Sequence, residues 1–249
     1  EPRELFPALQ TVIPRKPLIM WKAGLTGAGS RAAASHTGSM TGEGALWKSL
    51  FRQFHVLDVY DIEEMLDLTS AFYHLAPRAT DGRVAIVSGP GGPAVTASDA
   101  VERNGLVMAA LGGTTLSRLK TLLPPTGTSP SNPVDVGLSG SFDINLYLES
   151  LDLCLSDPGV DAVMMIGGGR TAEAKTAYID GIVAARRQTE KHIIAIAYPG
   201  AGHVTPEELA TLRQNGIPIF TTPERALRAY ARMLEYYRWR DWQEAHHER

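Results

Sequence analysis

The sequence predicts an α/β protein built on parallel sheets. Three observations carry that prediction. Short apolar runs alternate with amphipathic stretches of helical period along the chain. Several runs, such as Arg83–Ser88 and Asp161–Ile166, are apolar almost throughout, as strands covered on both faces must be. The strand–helix–strand rhythm is that of crossover connections, which lay strands parallel.

In order, strands are expected at Pro17–Lys22, Val56–Val59, Arg83–Ser88, Val107–Ala110, Asp161–Ile166, His192–Ala197 and Ile217–Phe220. Helices are expected at Gly44–Phe54, Ile62–His74, Ala94–Asn104, Thr115–Leu122, Ile144–Ser156, Thr171–Arg187, Pro206–Asn215 and Glu224–Trp239. The boundary residues agree. Thr205-Pro206-Glu207-Glu208 supplies a cap, a first-turn proline and two early acids, and Thr222-Pro223-Glu224 repeats the arrangement. Asn215-Gly216 stops a helix before the next strand. The polar break Ala76–Gly82 divides two periodic regions, so domains are expected at 1–78 and 79–249.

An internal repeat sharpens this division. Arg52, Gln53, Val56, Val59, Glu63 and Leu66 align with Arg213, Gln214, Ile217, Phe220, Glu224 and Leu227 at an offset of 161. Upstream, Lys16–Ile19 aligns with Lys191–Ile194 at an offset of 175. The chain therefore carries two copies of one strand–loop–helix–strand–helix unit. The second copy closes a complete domain. The first shows only its tail, so the N-terminal domain is expected to be truncated. The offsets differ by 14 residues (175 − 161), which fall in the stretch containing Gly24–Gly42.

Composition narrows the function classes. A net charge of −3 gives no general reason to expect nucleic acid or an anionic membrane as partner. The single cysteine, Cys154, excludes an internal disulfide and a cysteine-based metal site, and fits a reducing cytoplasm. No apolar run reaches the roughly 18 residues that span a bilayer.

The inserted segment, Gly24-Leu-Thr-Gly-Ala-Gly-Ser-Arg-Ala-Ala-Ala-Ser-His-Thr-Gly-Ser-Met-Thr-Gly42, is small, hydroxyl-rich and holds one imidazole, His36. It lies after the C-terminal end of a strand, where ligands gather in open α/β sheets, and reads as a flexible loop. Gly38 and Gly42 would let an anion approach the backbone, and Arg31 and Lys22 would offset its charge. His36 could be a nucleophile, a base or an exposed residue without a role, and position alone does not choose. No second ligand sits at metal spacing.

Two glycine turns stand between a strand and a helix: Ser88-Gly89-Pro90-Gly91-Gly92-Pro93 and Ile166-Gly167-Gly168-Gly169-Arg170-Thr171. Such turns expose backbone N–H groups at a helix N-terminus, a natural anion site, and Arg170 would add a forked donor. Tight strand–helix packing explains glycines there equally well. Neither turn continues into the Gly-Lys-Ser/Thr of a P-loop.

The run Lys22–Gly42 resembles the phosphohistidine loop of NDP-forming acyl-CoA synthetases, the family of ADP-forming acetyl-CoA synthetase and succinyl-CoA synthetase. Phe51-Arg52-Gln53 and Asp61–Leu68 are similar to the segments downstream of that loop in the family. The resemblance extends from about Leu5 to Trp239. It implies two flavodoxin-like or Rossmann-like three-layer domains, and an acid–thiol ligase interconverting acyl-CoA, NDP and phosphate with carboxylic acid, CoA and NTP. It implies His36 as the catalytic phosphate carrier, with Gly167, Gly168, Gly169, Arg170 and Thr171 on the phosphate-binding turn. Gly91, Gly92, Asn132 and Asp135 would line the substrate cleft, the last two from the segment Asn132–Gly137. CoA, ADP or ATP, and Mg2+ enter as substrates of the full enzyme, and no cofactor or metal is expected in this chain. A CoA-binding domain and an ATP-grasp domain, in the same polypeptide or a separate subunit, are the implied partners, in a cytoplasmic oligomer without nucleic acid or membrane contacts. The chain alone is therefore expected to be inactive. The competing reading is a degenerate member that binds acyl-CoA or serves as a regulatory scaffold. His55 and His192 are expected to be structural, His203 to lie on the cleft or a surface loop, and His246 and His247 to be solvated.

Overall fold

The computed structural model describes residues 2–37, 43–141, 143–197 and 205–247. The chain forms two compact units. One comprises the residues up to Thr69 together with the chain from Glu235 onward; the other is Ser70–Leu234.

The first unit contains α1 (Pro2–Val12), β1 (Ile19–Trp21), α2 (Gly27–Thr37), α3 (Gly44–Phe54), β2 (Leu57–Val59) and the start of α4 (Ile62–His74). Strands β1 and β2 pair in parallel, Ile19 against Leu57 and Trp21 against Val59. Leu9, Ile13, Phe51, Val56, Leu57, Val59 and Leu68 are buried. The end of the last helix belongs to this unit: Tyr236 Oη donates to the Ile13 carbonyl at 2.8 Å, and Trp239 stacks on His55. His55 ends α3 in the left-handed conformation, with φ at 54°.

The stretch around His36, expected to be a loop, is helical from Gly27 to Thr37. The physical reason is local. Thr26 caps the helix, its hydroxyl accepting the Gly29 N–H at 3.1 Å. Ala32-Ala33-Ala34 then supplies the strongest helix formers, which outweigh the two glycines before them. Helix α1 was likewise not expected. Gly38 and Gly42 lie outside the described residues.

The second unit continues with β3 (Arg83–Ser88), α5 (Gly91–Arg103), β4 (Val107–Met108), α6 (Gly113–Leu122), β5 (Val134–Asp135), α7 (Asn145–Ser156), β6 (Ala162–Ile166), α8 (Ala172–Arg187), β7 (His192–Ile196), α9 (Pro206–Gln214), β8 (Ile219–Phe220) and α10 (Pro223–His247). The strands are all parallel, in the order β4-β3-β6-β7-β8, with β5 beside the end of β3. Counting β3 as the first strand of the unit, the order is 2-1-3-4-5, the flavodoxin-like arrangement. Every residue of β6 and all but Arg83 of β3 are buried. Ala85, Val87, Val163, Met165, Ile193 and Ala195 share one core with Leu119, Leu151 and Ile182 of α6, α7 and α8. Their neighbours Val84, Ile86, Met164 and Ile166 are buried too and point to the opposite face, because strand side chains alternate. Three layers result.

The repeat is real in register. Ile19 pairs with Leu57, and the offsets map this pair onto Ile194 and Pro218. The second unit pairs Ala195 with Ile219, one residue further along the same ladder. Helix α2 occupies the stretch that lengthens the first copy.

Among the described residues, no helix is long and apolar enough to cross a membrane.

Candidate functional site

In a 2-1-3-4-5 sheet the chain leaves the first and third strands in opposite directions, opening a crevice at their C-terminal ends. Here those strands are β3 and β6, and each runs directly into one of the two glycine turns.

After β3, Ser88 turns its hydroxyl back to the Pro90 carbonyl at 2.8 Å, and α5 opens at Gly91. A methyl group placed on Gly92 would meet no atom within 4 Å, and one on Gly91 would meet only the Asp135 carboxylate, at 3.8 Å. The first turn of α5 therefore borders open space with Asp135 beside it. Asp135 is held in β5, whose backbone pairs with Ser88, and its Oδ1 accepts the Gly137 N–H at 2.7 Å.

After β6, Gly167 and Gly168 take φ angles of +125° and +154°, which side-chain-bearing residues rarely adopt. Gly169 packs against the Ala174 backbone too closely for any side chain. Thr171 then caps α8, its Oγ1 accepting the Ala174 N–H at 3.2 Å. Arg170 is exposed beside the cap. Packing against Ala174 thus accounts for Gly169, while backbone angle accounts for Gly167 and Gly168.

Asn132 sits under this crevice rather than on its wall. Its Nδ2 donates to the carbonyls of Val84 (2.8 Å) and Ala109 (3.0 Å), and its Oδ1 accepts the Ile86 N–H (2.9 Å). These bonds commit the amide to the scaffold, so it shapes the cleft through β3 and β5.

The residue that sequence reasoning missed is Tyr147. It projects from α7, is 1% exposed, and brings its phenol between the two turns. A side chain on either Gly89 or Gly167 would collide with that hydroxyl. Burial pushes its pKa up to about 12, with backbone hydrogen bonds from Gly168 and Gly89 pulling the other way. The available signal was the stripe Tyr147, Leu151, Leu155, which places the ring on the buried face of α7, though nothing local ties it to two distant turns.

The structure thus gathers Gly91, Gly92, Asp135, Gly167, Gly168, Gly169, Arg170 and Thr171 around one sheet end of the second unit. His36 belongs to the first unit, exposed in the last turn of α2. His203 lies outside the described residues. Among those described, no three His, Cys, Asp or Glu residues are grouped to hold a metal.

Two domain families match the chain: a succinyl-CoA ligase like flavodoxin domain over residues 1–72 and a ligase-CoA domain over 84–239. The chain is 35% identical to the alpha subunit of ADP-forming acetate–CoA ligase II of Pyrococcus furiosus, over 92% of this chain and 50% of that one. It is 31% identical to the ADP-forming 4-hydroxybutyrate–CoA ligase of Nitrosopumilus maritimus, over 90% of this chain and 31% of that one. The solved structure of dinucleotide forming acetyl-coenzyme A synthetase 1 from Ca. Korarchaeum cryptofilum, in complex with phosphate and ADP, superposes with a TM-score of 0.79 at 28% identity, covering 98% of this chain and 52% of that one. The chain spans about half the length, or less, of the relatives it matches.

Proposed function

Since this chain belongs to the NDP-forming acyl-CoA synthetase family, we propose that it is the phosphoryl-carrying part of an acid–thiol ligase that interconverts acyl-CoA, NDP and phosphate with carboxylic acid, CoA and NTP. The observation that carries this reading is His36: an exposed imidazole at the end of a capped, small-residue helix, inside the segment similar to the family's phosphohistidine loop. A ring nitrogen attacks the phosphorus of an acyl phosphate. An N–P bond forms, the P–O bond to the acyl oxygen breaks, and the carboxylate leaves. In the second half-reaction the terminal phosphate oxygen of NDP takes the phosphoryl group and the imidazole is restored.

In this reading residues 1–78 are the C-terminal part of the phosphohistidine-bearing domain and 79–249 the following ligase domain with its terminal helix. In the latter, the N-terminus of α8 supplies what a phosphate needs: backbone N–H groups of a first helical turn, the positive end of a helix dipole and Arg170 beside them. The exposed first turn of α5, with Gly91, Gly92 and Asp135, borders the substrate cleft. Asn132 contributes by holding β3 and β5. The CoA-binding and ATP-grasp functions come from further domains or a partner subunit, within a cytoplasmic oligomer. Mg2+ arrives there with the nucleotide.

Incubating the complete protein with labelled nucleotide should yield acid-labile, base-stable phosphate that His36→Ala abolishes. Label that persists in that variant would overturn the assignment. The 249-residue chain alone, given acyl-CoA, ADP and phosphate, should show no turnover.

A further inference from the structure

We propose that the Tyr178 hydroxyl is a hydrogen-bond donor to inorganic phosphate at the start of α8, a bond it makes only when that anion is bound. The proposal rests on the reading of the Gly167–Thr171 turn as a phosphate site.

Tyr178 stands in the second turn of α8. A long helical side chain leans back toward the N-terminus and covers the turn before its own Cα. The ring therefore lies over the first turn of α8 and reaches the glycine turn that precedes it. A methyl group added to Gly168 would meet ring atoms Cδ1 and Cε1, both at 3.6 Å, and no other atom within 4 Å among the described residues. Between turn and ring there is thus a gap that a methyl group would fill, and the hydroxyl lies two bonds beyond Cε1.

That hydroxyl has no protein partner. Tyr178 is 7% exposed, and its oxygen is shut from solvent without a hydrogen bond among the described residues. Tyr147 does not supply one, although its ring meets Tyr178 edge-on at 5.6 Å. A buried hydroxyl left unpaired is destabilising, and phenylalanine would fill the same space without that penalty. Packing explains the ring and leaves the hydroxyl unexplained.

An anion is the acceptor this place can offer. Backbone N–H groups and the helix dipole favour one at the start of α8, with Arg170 beside it. Burial raises the Tyr178 pKa well above the usual 10, so the phenol keeps its proton and meets an anion as a donor. Gly167 and Gly168 place no side chain between the two, and their φ angles of +125° and +154° belong to glycine's wider range. Phosphate would then be held from the turn by amides and from beneath it by Tyr178.

Titration calorimetry of the complete protein with inorganic phosphate tests this without turnover. Tyr178→Phe should raise Kd for phosphate about tenfold, the loss of one hydrogen bond to a charged group, and leave Kd for ADP unchanged. Its Tm should not fall, because the atom removed is unpaired. Ser150→Ala, which removes another buried hydroxyl without a partner among the described residues, should leave phosphate binding alone. Arg170→Ala should weaken phosphate binding if the turn is the phosphate site. Binding that responds to Arg170→Ala but not to Tyr178→Phe would overturn the role of Tyr178. So would a fall in Tm with parallel loss of phosphate and ADP binding, which marks a packing defect, or an equal effect of Ser150→Ala. Phosphate binding that is absent from the wild type, or indifferent to both Arg170→Ala and Tyr178→Phe, would remove the turn as a phosphate site and the tyrosine with it. Failure to label His36 in the wild type would sink the proposed function instead, and leave the titration to judge the tyrosine.

Discussion

The side-chain amide of Asn132 stands beside Ile86 where a neighbouring strand would, its Oδ1 accepting the Ile86 N–H at 2.9 Å. On this side β3 pairs with β4 at Arg83 and Val84, and with β5 at Val87 and Ser88. Between the two lie Ala85 and Ile86, and Asn132 fills the gap, returning a donor to the Val84 carbonyl at 2.8 Å. A primary amide carries the same donor and acceptor as a peptide unit, so the ladder continues through a side chain.

Asn132→Ala should therefore cost about 3 kcal/mol, since the buried Ile86 N–H loses its partner and two carbonyls lose a donor. Asn132→Asp keeps the acceptor but turns an oxygen toward two carbonyls. Its carboxyl should titrate high in the folded state, so that variant should lose stability as pH rises through the acid range. Urea melts at several pH values measure both. A neutral Asn132→Ala would mean that the scaffold role assigned to this residue is wrong.

His192 should make the protein acid-sensitive well above the usual carboxylate range. Its Nε2 faces the Ala76 carbonyl at 3.1 Å and its Nδ1 faces the Tyr230 hydroxyl at 3.0 Å. A carbonyl only accepts, so Nε2 carries the proton and Nδ1 accepts from Tyr230. Burial, aided by the nearby Arg78 charge, lowers the pKa from 6.5 to about 4. The unfolded chain thus binds the extra proton first. Stability is full above pH 6.5, falls as pH drops, and has lost roughly 3 kcal/mol by pH 4. His192→Gln should flatten the slope of stability against pH between these values, at some cost at neutral pH.

How far the sequence reached depended on whether the signal was local. β3 and the helices α3 and α4 lie where the hydrophobic period placed them, because their burial pattern is written in consecutive residues. The repeat even carried the register of β1 on β2. Strand β5 escaped because two residues have no period. Helix α2 escaped because its glycines and serines suggested a loop, while its determinants were one threonine cap and three alanines. The site divided along the same line. The glycine turns were visible as punctuation between elements, but Tyr147 acts across 58 and 20 residues of chain, on Gly89 and Gly167, and only the fold brings them together.

Cys154 should be chemically silent in the native protein. It lies fully buried on α7, where burial pushes its pKa up to about 12 and the Asp157 charge adds to the effect. Both thiolate and access are lacking. At pH 8 iodoacetamide should label it only after unfolding, so that the labelling rate in increasing urea reports the stability of the second unit. Prompt labelling without denaturant would show that α7 opens locally.

Gly92 and Gly168 should respond to alanine in opposite ways, and the contrast tests what each glycine is for. At Gly168 a methyl group would find ordinary contact with the Tyr178 ring at 3.6 Å, so space is not the obstacle. The φ of +154° is, and Gly168→Ala should cost roughly 1–3 kcal/mol for that reason alone. Gly92 lies in the first turn of α5, where a methyl group meets nothing within 4 Å. There alanine should stabilise by up to about 0.5 kcal/mol through helix propensity. The fold thus gives no reason for a glycine at 92. If the reason is a ligand approaching the α5 backbone, Gly92→Ala should raise Tm slightly and weaken substrate binding in the complete protein. A variant that gains stability and keeps its KM values would remove Gly92 from the cleft.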